Sequence, residues 1–94
     1  MAVYAMVHID VNDATEYAKY AEIAGPAVAK YGGTFLARGG DCVHMEGKGR
    51  ARNVIIRFED METAKTFYHS PEYQKALSYG IKASDREYTF VEGV

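Results

Sequence analysis

Residues 2–11 read AVYAMVHIDV, and the alternation inside them decides the fold. Successive side chains of an extended chain point to opposite faces. Val3, Ala5, Val7, Ile9 and Val11 therefore share one side, and Tyr4, Met6, His8 and Asp10 the other. The stretch is rich in β-branched and aromatic residues and reads as a strand. Its first side is uniformly apolar, as a face under helices should be. Its second side is mixed, too apolar to be left wet and too polar for a plain core.

The remaining elements follow outward from this strand. Asn12 or Asp13 offers an N-cap, because a short side-chain acceptor satisfies the free amides of a first helical turn. A helix is expected from there to about Tyr31. Ala14, Tyr17, Ala18, Ala21, Ala24 or Gly25, Val28 and Tyr31 recur at helical spacing and would form its buried stripe. Pro26 removes one amide donor inside it, and Gly32-Gly33 ends it. Thr34–Ala37 reads as a short strand interrupted by Arg38-Gly39-Gly40, with Val43–Glu46 as its continuation. Gly47–Gly49 is a turn, and the basic run from Lys48 to Arg52 belongs to a hairpin loop. Asn53–Glu59, NVIIRFE, is a strand. Asp60 caps a second helix to about His69; Ser70-Pro71 restarts helix to about Ala83. Glu87–Glu92, EYTFVE, is the last strand. The order β-α-β-β-α-β is the ferredoxin-like split βαβ arrangement, an α+β fold.

The chain has 94 residues, the size of a single domain, here taken as 1–94. A chain this short buries roughly 60–65% of its unfolded surface, so association would add core. Eleven Lys+Arg stand against thirteen Asp+Glu. That balance argues against nucleic acid as a partner, since no basic excess tracks phosphates. Cys42 is the only cysteine, which excludes an internal disulfide and a cysteine-rich metal site. A free thiol suits a reducing cytoplasm. The apolar N-terminal run lacks a basic flank and is broken early by His8 and Asp10, unlike a signal peptide. No apolar run approaches the ~20 residues of a membrane helix.

The run YAKYAEIAGPAVAKYGGTFLARGG, then FYHSPEYQKAL, then the closing FVEGV, resembles the bacterial family of domain of unknown function 1330. The resemblance spans essentially the whole chain, with each motif in order. It implies membership of the dimeric α/β-barrel superfamily, in which two ferredoxin-like protomers pack sheet against sheet. That superfamily includes cofactor-free quinone-forming monooxygenases, haem-degrading enzymes, dye-decolourising peroxidases and muconolactone isomerases. The family carries no settled activity, so the resemblance transfers no catalytic residues. A homodimer of this kind would explain the mixed strand face: a partner sheet would cover Tyr4, Met6 and His8, with Ile55 and Arg57 beside them.

Three groups of residues could carry chemistry. In FYHSPEYQ, residues 67–74, Ser70 is placed as an N-cap, Pro71 at the first helical position, and Glu72 at the positive helix end. That structural role accounts for all three. His69 and Tyr73 remain as pocket candidates, the histidine as a general base. Neighbouring Ser70 and His69 do not make a hydrolase triad, since no nucleophile elbow surrounds them. Arg38-Gly39-Gly40 is the second group. The glycines permit close approach of a ligand, and Arg38 could clamp a carboxylate or enolate oxygen. A bulge or turn, with Arg38 in an intersubunit ion pair, is the plainer account. The third group is His8, His44 and His69, which share no short ligand spacing; neither a zinc site nor haem is expected, and the expected cofactor is none. Eight tyrosines suit ordinary packing or the walls of a pocket for a planar ligand. Two functions from different classes fit. One is a cofactor-independent enzyme of isomerase or monooxygenase type, acting on a small planar or carboxylate-bearing metabolite with His69 or His8 as base, Arg38 as clamp and Tyr73 as donor. The other is a non-catalytic dimeric small-molecule-binding or stress-associated module.

Overall fold

A computed structural model describes residues 1–94. It runs β1 (Val3–Val11), α1 (Ala14–Lys30), β2 (Thr34–Arg38), β3 (Arg52–Phe58), α2 (Met61–Tyr68), α3 (Pro71–Ala83) and β4 (Ser84–Glu92). The strands form one sheet in the order β2-β3-β1-β4, every neighbouring pair antiparallel. This is the expected ferredoxin-like α+β fold.

The alternation in the first strand is realised as read. Val3, Ala5, Val7 and Ile9 are all at most 2% exposed and join one core with Ala24, Ala27 and Val28 of α1, Phe67 of α2 and Tyr73 and Ala76 of α3. The opposite sheet face carries no helix. There Tyr4 lies beside Arg57, Met6 beside Ile55, and His8 beside Asn53. No helix is long and apolar enough to cross a membrane.

Short side chains set the helix starts. Asp13 Oδ1 accepts from the Glu16 amide at 3.1 Å, and Asp60 Oδ1 from the Thr63 amide at 2.7 Å. Ser70 does two jobs at the break between α2 and α3. Its hydroxyl accepts from the Tyr73 amide at 3.1 Å and donates to the Phe67 carbonyl at 2.6 Å. A capped helix end thus meets a capped helix start, with Pro71 at the first position. Gly32 reaches φ 78° after α1, a conformation that side chains other than glycine's resist.

Four local expectations are corrected. The buried stripe of α1 is Tyr20, Ala24, Ala27 and Val28, with Tyr17, Ala21 and Tyr31 partly buried beside it; Ala14 and Ala18 face outward. The stripe is rotated because Tyr20 reaches under the helix to a polar partner. Val43–Glu46 forms no strand; residues 39–51 are a long loop on which Val43 and Met45 are 80% and 85% exposed. The bulge in β2 lies between Phe35 and Ala37, not at the double glycine. Finally, β4 begins at Ser84, three residues earlier than expected, directly after α3.

Candidate functional site

Between α1 and the helix-covered sheet face lies a pocket whose walls are mostly apolar: Val7, Ile9, Val54 and Ile56 from the sheet, Ala21 and Ala24 from the helix, and Phe35 from the edge strand. Its polar groups are Tyr17, Tyr20, Tyr73 and Tyr88, with Arg38 and Arg52. No carboxylate and no histidine lines it. The enclosed space is about 30 Å³, room for about two water molecules. A metabolite larger than this needs lining side chains to move aside, and Arg38 is the exposed one among the polar groups.

Both arginines rest on glycines. Arg38, exposed at the end of β2, stacks over the Phe35 ring with its guanidinium carbon 4.1 Å from the centroid. The same guanidinium covers Gly25 of α1, where an added Cβ would stand 2.9 Å from Nη2. Arg52, at the start of β3, donates from Nε to Tyr17 Oη at 3.2 Å. It lies across Gly39, where an added Cβ would fall 2.1 Å from Nη1. Gly39 also holds φ 69°. Backbone conformation is what calls for glycine there, while the Arg52 guanidinium, the far end of a flexible side chain, makes use of the room.

The inner end of the pocket is built by residues distant in sequence. Tyr20 Oη and Tyr73 Oη are 3.0 Å apart. Arg86 of β4 lies behind them and donates from Nη2 to both, at 2.9 and 2.8 Å. Its guanidinium also faces the Tyr20 ring at 4.6 Å. Gly80 of α3 makes the space: an added Cβ would meet Tyr20 Cδ1 at 2.6 Å and Arg86 Nη1 at 2.9 Å. Burial pushes the Tyr73 and Tyr88 hydroxyls far above the ordinary phenol range, so both keep their protons. Burial opposes the charge on Arg86, but the oxygens of Tyr20 and Tyr73 more than offset it and move its pKa upward. Arg86 Nη1 is buried without a hydrogen-bond partner.

The residues singled out in the sequence fall in different places. Arg38 and Tyr73 line this one pocket. Gly39 supports it through Arg52, whereas Gly40 has nothing close to where a side chain would begin. His69 is exposed at the end of α2, edge-on to Tyr68 at 5.4 Å. His8 is on the bare face, where its Nδ1 donates to Asn53 Oδ1 at 2.7 Å. It belongs to a second, open and wholly polar concavity of about 480 Å³ with Asp10, His44, Lys48, Arg50 and Glu87. Arg50 is committed there to Asp10 at 2.9 Å and Glu87 at 3.2 Å. His8 and His44 thus share that concavity, apart from His69 and from Arg38, and no three His, Cys, Asp or Glu side chains are grouped to hold a metal. Arg52 lines the pocket, and Arg86 and Gly80 stand behind Tyr20 and Tyr73; the sequence alone assigned none of the three to it. Carrying the EYTFVE alternation two residues back would have put Arg86 on the face of Tyr88 and Phe90.

The family model for Domain of unknown function (DUF1330) matches residues 2–94. The chain belongs to the DUF1330 family. Among solved structures it is similar to a protein of unknown function from Rhodopseudomonas palustris, with TM-score 0.80 at 15% identity, covering 99% of this chain and 82% of that one. A dimeric protein of unknown function with a ferredoxin-like fold from Bacteroides fragilis aligns with TM-score 0.66 at 14% identity, over 98% of this chain and 96% of that one. SnoaB, a cofactor-independent oxygenase from Streptomyces nogalater, aligns with TM-score 0.67 at 11% identity, over 99% and 93%. At these identities the likeness is one of fold. No protein of curated function matches the DUF1330 chain.

Proposed function

We propose that the inner pocket takes a small planar metabolite bearing a carboxylate or enolate oxygen, and that the protein acts on it as a cofactor-independent enzyme of isomerase or monooxygenase type. The observation that carries this is the pocket's composition: a mostly apolar lining whose polar groups are phenols and guanidiniums, with no carboxylate among them. Such a lining favours an anion and a planar apolar body together. Arg38 serves as the clamp at the mouth and Tyr73 as a donor at the inner end. The pocket offers donors but no base. The substrate class narrows accordingly to compounds acidic enough to ionise inside it, such as carboxylic acids, phenols, hydroquinones and enols of 1,3-dicarbonyls. Stabilising the anion of such a compound is the step that isomerisation and direct oxygenation share. SnoaB, a cofactor-independent oxygenase of similar fold, supports that class.

A homodimer goes with this reading. Met6, Leu36 and Val91 are 39%, 55% and 43% exposed; Met6 and Val91 share the bare sheet face with Ile55 and Tyr4, a surface that a second copy would cover. The exposed lone thiol of Cys42 fits a cytoplasmic setting.

The alternative is a non-catalytic small-molecule-binding or stress-associated module, favoured by the absence of His, Asp and Glu from the pocket lining. Calorimetric titration of benzoate, hydroquinone and acetylacetone, followed by oxygen-uptake and absorbance assays, separates the two. Turnover that falls in Arg38→Ala supports the enzyme. Binding without turnover supports the module. No binding by any of the three would sink the pocket reading.

A further inference from the structure

The hydrogen bonds at the inner end of the pocket leave protons over. Tyr20 and Tyr73 bring one O–H each. Each oxygen already accepts from Arg86 Nη2. The two hydroxyls are 3.0 Å apart, so one donates to the other and the second O–H has no acceptor within the group. Both rings line the pocket, which is where that proton can find one. Arg86 Nη1 is likewise buried and unpartnered. Of the four lone pairs on the two oxygens three are used and one is left, so the group's idle donors, the free O–H and Nη1, outnumber its idle acceptors, and it carries one full positive charge with no carboxylate facing it. Arg86 comes from β4 and stands behind the lining, Tyr20 comes from α1 and Tyr73 from α3; besides these two tyrosines, the titratable side chains lining the space are Tyr17, Tyr88, Arg38 and Arg52.

Resting on the pocket reading above, we infer that the Tyr20–Tyr73–Arg86 group is an oxyanion seat, which holds the ligand in its anionic form through one phenolic O–H polarised from behind by the guanidinium. A hydrogen bond from a donor whose oxygen already accepts from a cation is strengthened, and a bond to an ionised acceptor is about twice as strong as a neutral one. A neutral hydroxyl arriving in the same place would bring a further donor to a site already in excess of donors. The seat thus selects the ligand's protonation state, and with it substrates whose acidic oxygen sits at one end of a flat body. Gly80 is the residue that allows it, since a side chain there would collide with both Tyr20 and Arg86.

The probe is 4-nitrophenol, whose phenol and phenolate forms absorb at different wavelengths. Methyl NMR signals of Val7, Val54 and Ile56, which line the pocket, report where it binds. The expected result is binding at those methyls with the phenolate-to-phenol ratio of the bound dye raised at least about tenfold over free dye at the same pH. Tyr73→Phe or Tyr20→Phe should abolish that rise, while Tyr4→Phe, on the opposite sheet face beside Arg57, leaves it. Should either phenylalanine variant fail to fold, Gly80→Ala serves instead, by displacing Tyr20. Dye seated at those methyls in its neutral form, or as phenolate unaffected by the seat variants, would overturn this inference and leave the pocket standing. Dye that moves none of those methyls would remove the pocket itself, and the seat with it.

Discussion

Gly80→Ala tests how closely the seat is assembled. Gly80 lies inside α3, where alanine would ordinarily favour the helix by about 0.8–1.0 kcal/mol. Here the added Cβ would stand 2.6 Å from Tyr20 Cδ1 and 2.9 Å from Arg86 Nη1. Carbon atoms pack at about 3.5–4.0 Å, so the Tyr20 ring must retreat by about 1 Å. Tyr20 Oη is 3.0 Å from Tyr73 Oη and 2.9 Å from Arg86 Nη2, and a retreat of that size breaks at least one of these contacts. Overpacking costs about 1–3 kcal/mol, and a lost buried hydrogen bond about 1 more. Against the helical gain, the net destabilisation is about 1–3 kcal/mol. For a chain of this size each kcal/mol lowers Tm by about 4–8 °C. Thermal unfolding followed by circular dichroism at fixed protein concentration reads it. A variant that melts at or above the wild-type temperature refutes the reasoning, because it would mean that Tyr20 and Arg86 do not crowd Gly80.

Three further outcomes are expected. Glu72 is held near a pKa of about 2 by the Lys30 ammonium that hydrogen-bonds it, its own backbone amide and the Tyr31 hydroxyl. A depressed carboxylate stabilises the fold above its unfolded pKa and loses that contribution as pH falls. The Tm of the wild type should therefore drop between about pH 4.5 and 2 more steeply than that of Glu72→Gln, and equal slopes would remove the ion pair from the account. Met6→Glu puts a charge in the middle of the bare sheet face and should shift the sedimentation coefficient from dimer to monomer; an unchanged dimer would place the interface elsewhere. His69→Ala should leave ligand affinity unaltered and change stability by no more than about 0.5 kcal/mol, whereas a tenfold loss of binding would return His69 to the site.

The strand-and-helix order was legible because each signal is local. A period of two in β1 and β3, a capping aspartate before α1 and α2, and Ser70-Pro71 before α3 each act within a few residues. That Tyr4, Met6, Ile55 and Arg57 share one face followed from parity; their pairing, Tyr4 with Arg57 and Met6 with Ile55, is seen only in the fold. The seat was less legible because its parts lie 53 and 66 residues apart along the chain. Arg86 reads locally as the polar approach to a strand. Only the fold shows that it lies on the face of Tyr88, under α1. The turn of the α1 stripe has the same origin: Tyr20 counts as a poorer core residue than Ala18 until its hydroxyl has Tyr73 and Arg86 to meet. Histidine drew more attention than arginine in the sequence because its titration range suits catalysis, but burial and convergence decide a site, and neither His8 nor His69 has both.

The two arginines lying on glycines also bear on how fast the pocket exchanges its contents. Arg38 is held at the mouth chiefly by its stack on Phe35, an exposed cation–π contact worth about 0.5–1 kcal/mol. Against thermal energy that leaves an uncovered-to-covered ratio on the order of 0.2–0.4. Rotamer changes of exposed side chains take picoseconds to nanoseconds, and no strand or helix has to shift. For a ligand held as inferred above, Arg38 would set no slow gate and Arg52 would have only its hydrogen bond to Tyr17 to release, so residence time would become a property of Tyr20, Tyr73 and Arg86.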